Sequence, residues 1–319
     1  MPPRNPDAAP NFWETARRLV AVHPDFISVT YGAGGSDRAT AQQVVARLLD
    51  GTSVLPIAHL TCVGASREDV AAVIDEFLAA GTRSFLALRG DPPTDQPDWQ
   101  PPVGGVSSAI ELVRLLREVE ARRAAKDPSS ALRGAAHPLS VAVATFPNGN
   151  PAAGTTRAQE VSRLWEKQHA GASFAITQMV YEASSYIDFV AEARTAGVVI
   201  PILAGLIPTT EPDRLRRVAA LTGVAPPEDL LAALDALPDI EAQHQFGTKH
   251  GADLAREVLA AGAPGLHIYT FNRWRPALAM LSAAGLLRTT GNADESAGLA
   301  PTASTLGGIS SSTGHNASR

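Results

Sequence analysis

AAGTRSFLAL (residues 79–88) closes one element and opens another: two alanines and a glycine, a two-residue link, then an unbroken apolar run. The phrase returns as HAGASFAITQ (169–178), TAGVVIPILA (195–204) and AAGAPGLHIY (260–269). A glycine just past a helical segment supplies the left-handed backbone that ends a helix. A short apolar run without alternation is the mark of a parallel strand buried on both faces. Helix, glycine, short link and strand in repetition are what a β/α barrel requires, because each helix must turn back through a short loop.

Working outward, seven such runs can be read: FISVTY (26–31), VLPIAHLT (54–61), SFLAL (84–88), LSVAVAT (139–145), SFAITQ (173–178), IPILAGL (200–206) and GLHIYT (265–270). Helical spacing lies between them, for example over 40–49, 67–80, 107–123 and 158–170, and one further helix (NFWETARRLVA, 11–21) precedes the first strand. A barrel needs eight strands and eight helices. The count therefore predicts an α/β fold, either a (β/α)8 TIM barrel whose first β-strand is absent from this chain or a doubly wound open sheet, which does not need that strand.

Composition removes several classes of function. The 319 residues carry a net charge of −5 and no dense Lys/Arg cluster, which argues against nucleic acid and against an anionic membrane surface. One cysteine, Cys62, excludes an intrachain disulfide and a multi-cysteine metal centre. No run approaches the roughly 20 apolar residues of a membrane helix, and the start, MPPRNPDAAP, lacks a signal-peptide core. A cytoplasmic protein is expected. Residues 1–288 read as one barrel-like domain, and 289–319, rich in Gly, Ser and Thr without periodicity, read as a disordered tail.

Chemistry is expected at the carboxyl ends of the strands, where both α/β architectures keep their ligand crevice. Those ends present Thr30 and Tyr31, His59 and Thr61, Arg89 and Asp91, Thr145, Gln178, Thr270 and Arg273. A single histidine in such a place is commonly structural; six strand ends each offering a polar group favour a site. YGAGGSDRAT (31–40) places Gly32 and Gly34 as in a dinucleotide fingerprint, but the third glycine position holds Asp37, so a loop with free backbone is the simpler reading. The histidines are not spaced as metal ligands, and no G-x-S-x-G elbow occurs. Donors, acceptors and stacking groups remain, which suit a heteroaromatic cofactor that carries the reaction itself.

FISVTYGAGG (26–35), PIAHLTC (56–62), LALRGDPP (86–93), AITQ (175–178) and HIYTFNR (267–273), in this order, resemble the methylenetetrahydrofolate reductase family from Met1 to about Leu287. The resemblance implies a TIM barrel that binds FAD at the strand ends. It implies reduction of 5,10-methylenetetrahydrofolate to 5-methyltetrahydrofolate, for methionine synthesis, with NADH or NADPH as reductant and flavin as hydride carrier. Cofactor-binding residues implied are Thr30, Tyr31, Ala33, His59, Arg89, Gly90, Asp91, Ala109, Phe146, Glu160 and Lys167. Asp91 would be catalytic, tuning the flavin and bonding the pterin, and would bind substrate together with Gln178 and Arg273. No metal is implied, the partner is a small-molecule folate, and a homo-oligomer is compatible with the family.

Three departures qualify the resemblance. The family's first strand reads S-F-E-F-F/M-P-P-R, and this chain begins MPPR, so the general-acid Glu would lie two residues before Met1. The expectation is an active reductase whose start lies upstream; the alternative is a non-catalytic flavin- or folate-binding paralogue. The family's Y-P-E-x-H-P reads Phe146-Pro147-Asn148-Gly149-Asn150-Pro151, and Glu160, Arg163 and Glu166 stand where Asp, Asn and Arg are usual toward the FAD tail. A carboxylate in place of arginine beside a pyrophosphate is repulsive. A pterin-binding methyltransferase barrel is a third reading, but its zinc–thiolate needs more cysteines than one.

Overall fold

The computed structural model describes residues 2, 9–30, 38–63, 65–90 and 104–287. Tyr31, Ala33 and Asp91, the glycine loop around Gly32 and Gly34, and the tail expected over 289–319 lie outside the described residues. Seven strands form one sheet: β1 (Phe26–Val29), β2 (Leu55–Thr61), β3 (Ser84–Leu88), β4 (Ser140–Thr145), β5 (Phe174–Met179), β6 (Ile202–Leu206) and β7 (Leu266–Ile268). They are hydrogen-bonded in chain order, and every neighbouring pair is parallel. A doubly wound sheet reverses its strand order at a switch point. This sheet never does, and it curls as a barrel wall.

Around it run α1 (Ala9–Val20), α2 (Arg38–Gly51), α3 (Arg67–Ala79), α4 (Ala109–Lys126), α5 (Pro128–Ala136), α6 (Arg157–His169), α7 (Ala183–Thr195), α8 (Pro212–Thr222), α9 (Glu228–Asp235), α10 (Ile240–Ala260) and α11 (Trp274–Ala283). The repeated Ala-Gly phrase is a helix stop of one kind. Gly81 and Gly171 take φ of 91° and 106°, and the next residue's amide bonds back five positions, Thr82 to Phe77 and Ala172 to Lys167. That is the Schellman closure, which only a residue tolerant of positive φ completes without strain.

Period-two alternation divides the strands between two cores. Phe85, Val141, Val143, Ala175, Ile202 and Ala204 turn outward and join the helices in the main apolar layer. The intervening Ile57, Leu86, Ala142 and Ile176, with Phe26, Phe174 and Leu203, fill the inside of the curl. Above that inner floor the inward positions become Ser28, His59 and His267, and polarity begins.

β1 and β7 are the sheet's edges, and among the described residues no ladder joins them. Side chains span the seam instead. Ser28 Oγ lies 3.0 Å from His267 Nε2, and the Phe26 ring stacks on the His267 imidazole at 6.1 Å. α1 and α11 cover the seam from outside: Thr15 Oγ1 donates to the Asn272 carbonyl at 3.2 Å, and the Arg18 guanidinium sits over the Trp274 ring. β7 is shorter than the run 265–270 because Phe271 and Asn272 take φ of 46° and 61°, which turns the chain out of the sheet.

β5 carries the other irregularity. Ile176 pairs with Leu203 but Met179 with Gly205, so one extra residue is accommodated beside β6. Gly205 makes this bulge fit: its amide donates to Thr177 Oγ1 at 2.8 Å, and its carbonyl accepts from Val180 N at 2.9 Å. A Cβ at Gly205 would overlap the Thr177 carbonyl oxygen and come within 2.8 Å of the Tyr269 ring. Gly205→Ala is therefore expected to lower the free energy of unfolding by about 1–3 kcal/mol, the usual cost of overpacking. Urea unfolding measures it; an unchanged midpoint and slope would show that the bulge relaxes freely.

Candidate active site

A cleft of about 2130 Å³ opens at the carboxyl ends of the strands and extends down the β1–β7 seam. Thr30, His59, Arg89, Gly90, Ala109, Phe146, Glu160, Lys167 and Gln178 all line it. These residues come from seven different segments, brought together because each strand ends at the same rim. Among the described residues no three His, Cys, Asp or Glu gather as a metal set, and no helix is long and apolar enough to cross a membrane.

The inner wall is built by imidazoles. His59 Nε2 and His267 Nδ1 are shielded from solvent and have no hydrogen-bond partner among the described residues. Burial drives the His59 ring down to about 3, helped by the nearby His267, and drives His267 to about 4, so both are neutral at physiological pH. Tyr269 closes this side, its hydroxyl donating to the Thr177 carbonyl at 3.0 Å, and burial pushes its ionisation upward. Ser28, Thr177 and Tyr269 were not among the polar strand-end groups singled out from the sequence; the alternation through FISVT and HIYT carries the signal for Ser28 and Tyr269.

Gln178 stands at the bulge. Its Oε1 accepts from the Met179 amide at 3.0 Å, leaving the side-chain NH2 without a protein partner among the described residues. Across the cleft, Gly90 (φ 86°) keeps its backbone against Thr61 and Val63, where a Cβ would stand only 3.1 Å from either side chain. Arg89 reaches back to the Gly90 carbonyl at 3.2 Å. Ala109 begins α4, whose cap Ser108 accepts from the Glu111 amide.

On the α6 side, Glu160 is 1% exposed, accepting from Thr155 Oγ1 at 2.6 Å and from Arg163 Nη1 at 3.1 Å. Lys167 is buried and donates to the Ala144 carbonyl at 2.8 Å; burial pulls its ammonium below the ordinary lysine range against the attraction of Glu160. Asn148 turns away to α7, where it donates to Ser185 Oγ at 3.1 Å.

Arg273 is placed differently from the other expected site residues. It caps α11, two residues beyond Phe271 of the cleft wall, and its guanidinium is ion-paired at 2.6 Å with Glu211. Burial raises the Glu211 carboxyl, but the hydrogen bond and charge of Arg273, aided by Arg214 and His244, outweigh it and hold the carboxyl low. The pair spans 62 positions of sequence, and nothing local announces it.

The buried imidazoles make acid stability testable. An unfolded histidine titrates near 6.5, whereas these two stay neutral in the fold until about 3 and 4. The unfolded chain then binds more protons below 6.5, so stability is complete above that pH and is lost as the pH falls toward 4. The slope is up to about 1.4 kcal/mol per pH unit for each ring. His267→Gln is expected to flatten the acid limb of unfolding free energy against pH; identical limbs in the two proteins would show that the ring is not held neutral.

The family model "Methylenetetrahydrofolate reductase" matches residues 1–285. A maize (Zea mays) protein named methylenetetrahydrofolate reductase (NADH) 1 is 30% identical over 296 residues, 90% of this chain. The chain spans about half, 47%, of that protein's length. The 5,10-methylenetetrahydrofolate reductases of Pectobacterium carotovorum and Escherichia coli are 29% and 28% identical over 276 residues, which are 86% of this chain and 84% of each of theirs. Among solved structures, a Clostridium thermocellum protein that binds two copies of 5-methyl-5,6,7,8-tetrahydrofolic acid superposes with a TM-score of 0.56 at 12% identity, over 88% of this chain and 89% of that one, which shows a shared fold. With 285 of its 319 residues matched, this chain belongs to the methylenetetrahydrofolate reductase family.

Proposed function

We propose that this protein reduces 5,10-methylenetetrahydrofolate to 5-methyltetrahydrofolate with a reduced pyridine nucleotide, NADH or NADPH, in the cytoplasm. The observation that carries the reading is the convergence of Thr30, His59, Arg89, Gly90, Ala109, Phe146, Lys167 and Gln178 on one cleft. The transformation balances as hydride to the methylene carbon, cleavage of its bond to N10, and a proton to N10. The nucleotide leaves oxidised, and the folate gains a methyl group on N5.

The ring end of the cleft fits a flavin. A shielded imidazole nitrogen without a partner among the described residues, at His59, belongs to the same lining as the apolar Ala109, Ala144 and Phe146. FAD held there would supply the hydride relay between nucleotide and folate. Gln178 offers its free NH2 to the pterin and orients the nucleotide. Asp91, one residue beyond Gly90 in sequence, would bond the pterin, while Tyr31 and Ala33 would complete the flavin wall. Arg273 would hold the folate through the donors of its fork that the Glu211 pair leaves open. The neutral imidazoles at the cleft floor accept or donate hydrogen bonds and exclude water; depressed as they are, they are poor proton sources.

The direct test mixes the protein with each nucleotide, FAD and the folate, and follows nucleotide absorbance and folate products by mass. With oxygen excluded, one 5-methyltetrahydrofolate should appear per nucleotide oxidised, and oxidation should stop once the flavin is reduced when the folate is omitted. Binding of folate without any methyl product from either nucleotide would instead identify a binding protein. Arg273→Ala is expected to raise KM for the folate about tenfold or more, given about 1.5–3 kcal/mol for a charged hydrogen bond, with a smaller change in kcat. An unchanged KM would remove Arg273 from the substrate seat.

A further inference from the structure

Resting on the flavin reading above, we infer that the flavin is an exchangeable ligand held by its ring end, and that Glu166 denies it a phosphate clamp. A dinucleotide tail brings a pyrophosphate with two negative charges, and a wall that retains it needs uncommitted cations or free amides. The described lining holds three cations, Arg89, Arg163 and Lys167, against three carboxylates, Asp25, Glu160 and Glu166. It is neutral in sum.

Two of those cations are already engaged. Arg163 is paired with the buried Glu160, and Lys167 points its ammonium at the Ala144 carbonyl from a buried position. A carboxylate already stands at the start of α4, where Ser108 Oγ also takes the Glu111 amide. Ser107 N and Oγ both donate to Glu111 Oε2, at 2.7 and 3.0 Å, so the helix uses its own carboxylate where an anion would sit. Glu166 is exposed on the cleft wall one residue before Lys167, and its side chain makes no hydrogen bond or ion pair among the described residues. Its charge acts on the Lys167 ammonium and adds an unpaired negative charge to the same wall. Among the described residues of the lining, Arg89, which donates through Nε to the Gly90 carbonyl, is the cation left with its terminal nitrogens open to a phosphate.

Riboflavin, FMN and FAD differ only in their phosphates and adenylate, so their relative affinities isolate the tail. Each is titrated into the protein and followed by flavin fluorescence anisotropy at low and high ionic strength. The three dissociation constants are expected to agree within about threefold, since a lining neutral in sum gives the phosphates no net attraction. Glu166→Arg should tighten FMN and FAD by about tenfold and leave riboflavin unchanged, with the gain shrinking as salt rises. Glu166→Gln, which removes one charge rather than reversing it, should give an intermediate gain. Wild-type protein that binds FAD about thirtyfold or more tightly than riboflavin would overturn the inference, as would a Glu166→Arg variant with unaltered affinities. Failure of all three flavins to bind any of the proteins would remove the flavin reading itself, a different outcome from FAD selectivity.

Discussion

In a parallel sheet curled into a barrel wall, each residue's face is dictated by its neighbours two positions away. Shift one strand by a single residue and its inward set becomes its outward set. In this protein the ladder from β1 to β7 keeps one register through six pairings, broken only by the bulge in β5. That register places Ile57 under His59, Ala142 under Ala144 and Ile176 under Gln178, so an apolar floor and a polar mouth arise from the same strands. Gly205 permits the bulge at Thr177 and Gln178, and the Tyr269 hydroxyl ties the bulged carbonyl to the chain leaving β7.

The strands were legible because their code is local. Each apolar run coincides with an observed strand to within two residues at each end, and the recurrent Ala-Gly stops mark real helix closures. Thr30, His59, Arg89 and Gln178 were legible for the same reason: each sits at or just past the end of an apolar run, and such positions share a rim. Less visible was α5, a short helix between α4 and β4 that starts on Asp127, whose carboxylate accepts from the Ser129 and Ser130 amides. Its pattern is too short for periodicity to separate it from the preceding helix.

What stayed hidden depends on contacts distant in sequence. The pairing of Arg273 with Glu211 and the seat of Lys167 on Ala144 are made by the closing of the sheet, as is the meeting of Ser28 with His267 across the seam. The choice between a barrel wall and an open doubly wound sheet belongs here as well. Strand order decides it, and strand order is a property of pairing that no single run carries.

Electrostatically the cleft is two-sided. Its inner wall keeps imidazoles neutral by burial, and its α6 wall carries as many carboxylates as cations. A planar, weakly charged heterocycle suits such a place better than a polyanion does. The measurement that bears most directly on the account is a crystal structure of the protein grown with 5-methyltetrahydrofolate. The account predicts the pterin at the strand ends, bonded by the Gln178 side-chain amide above His59. A folate bound away from this cleft, with Gln178 and His59 untouched, would contradict it.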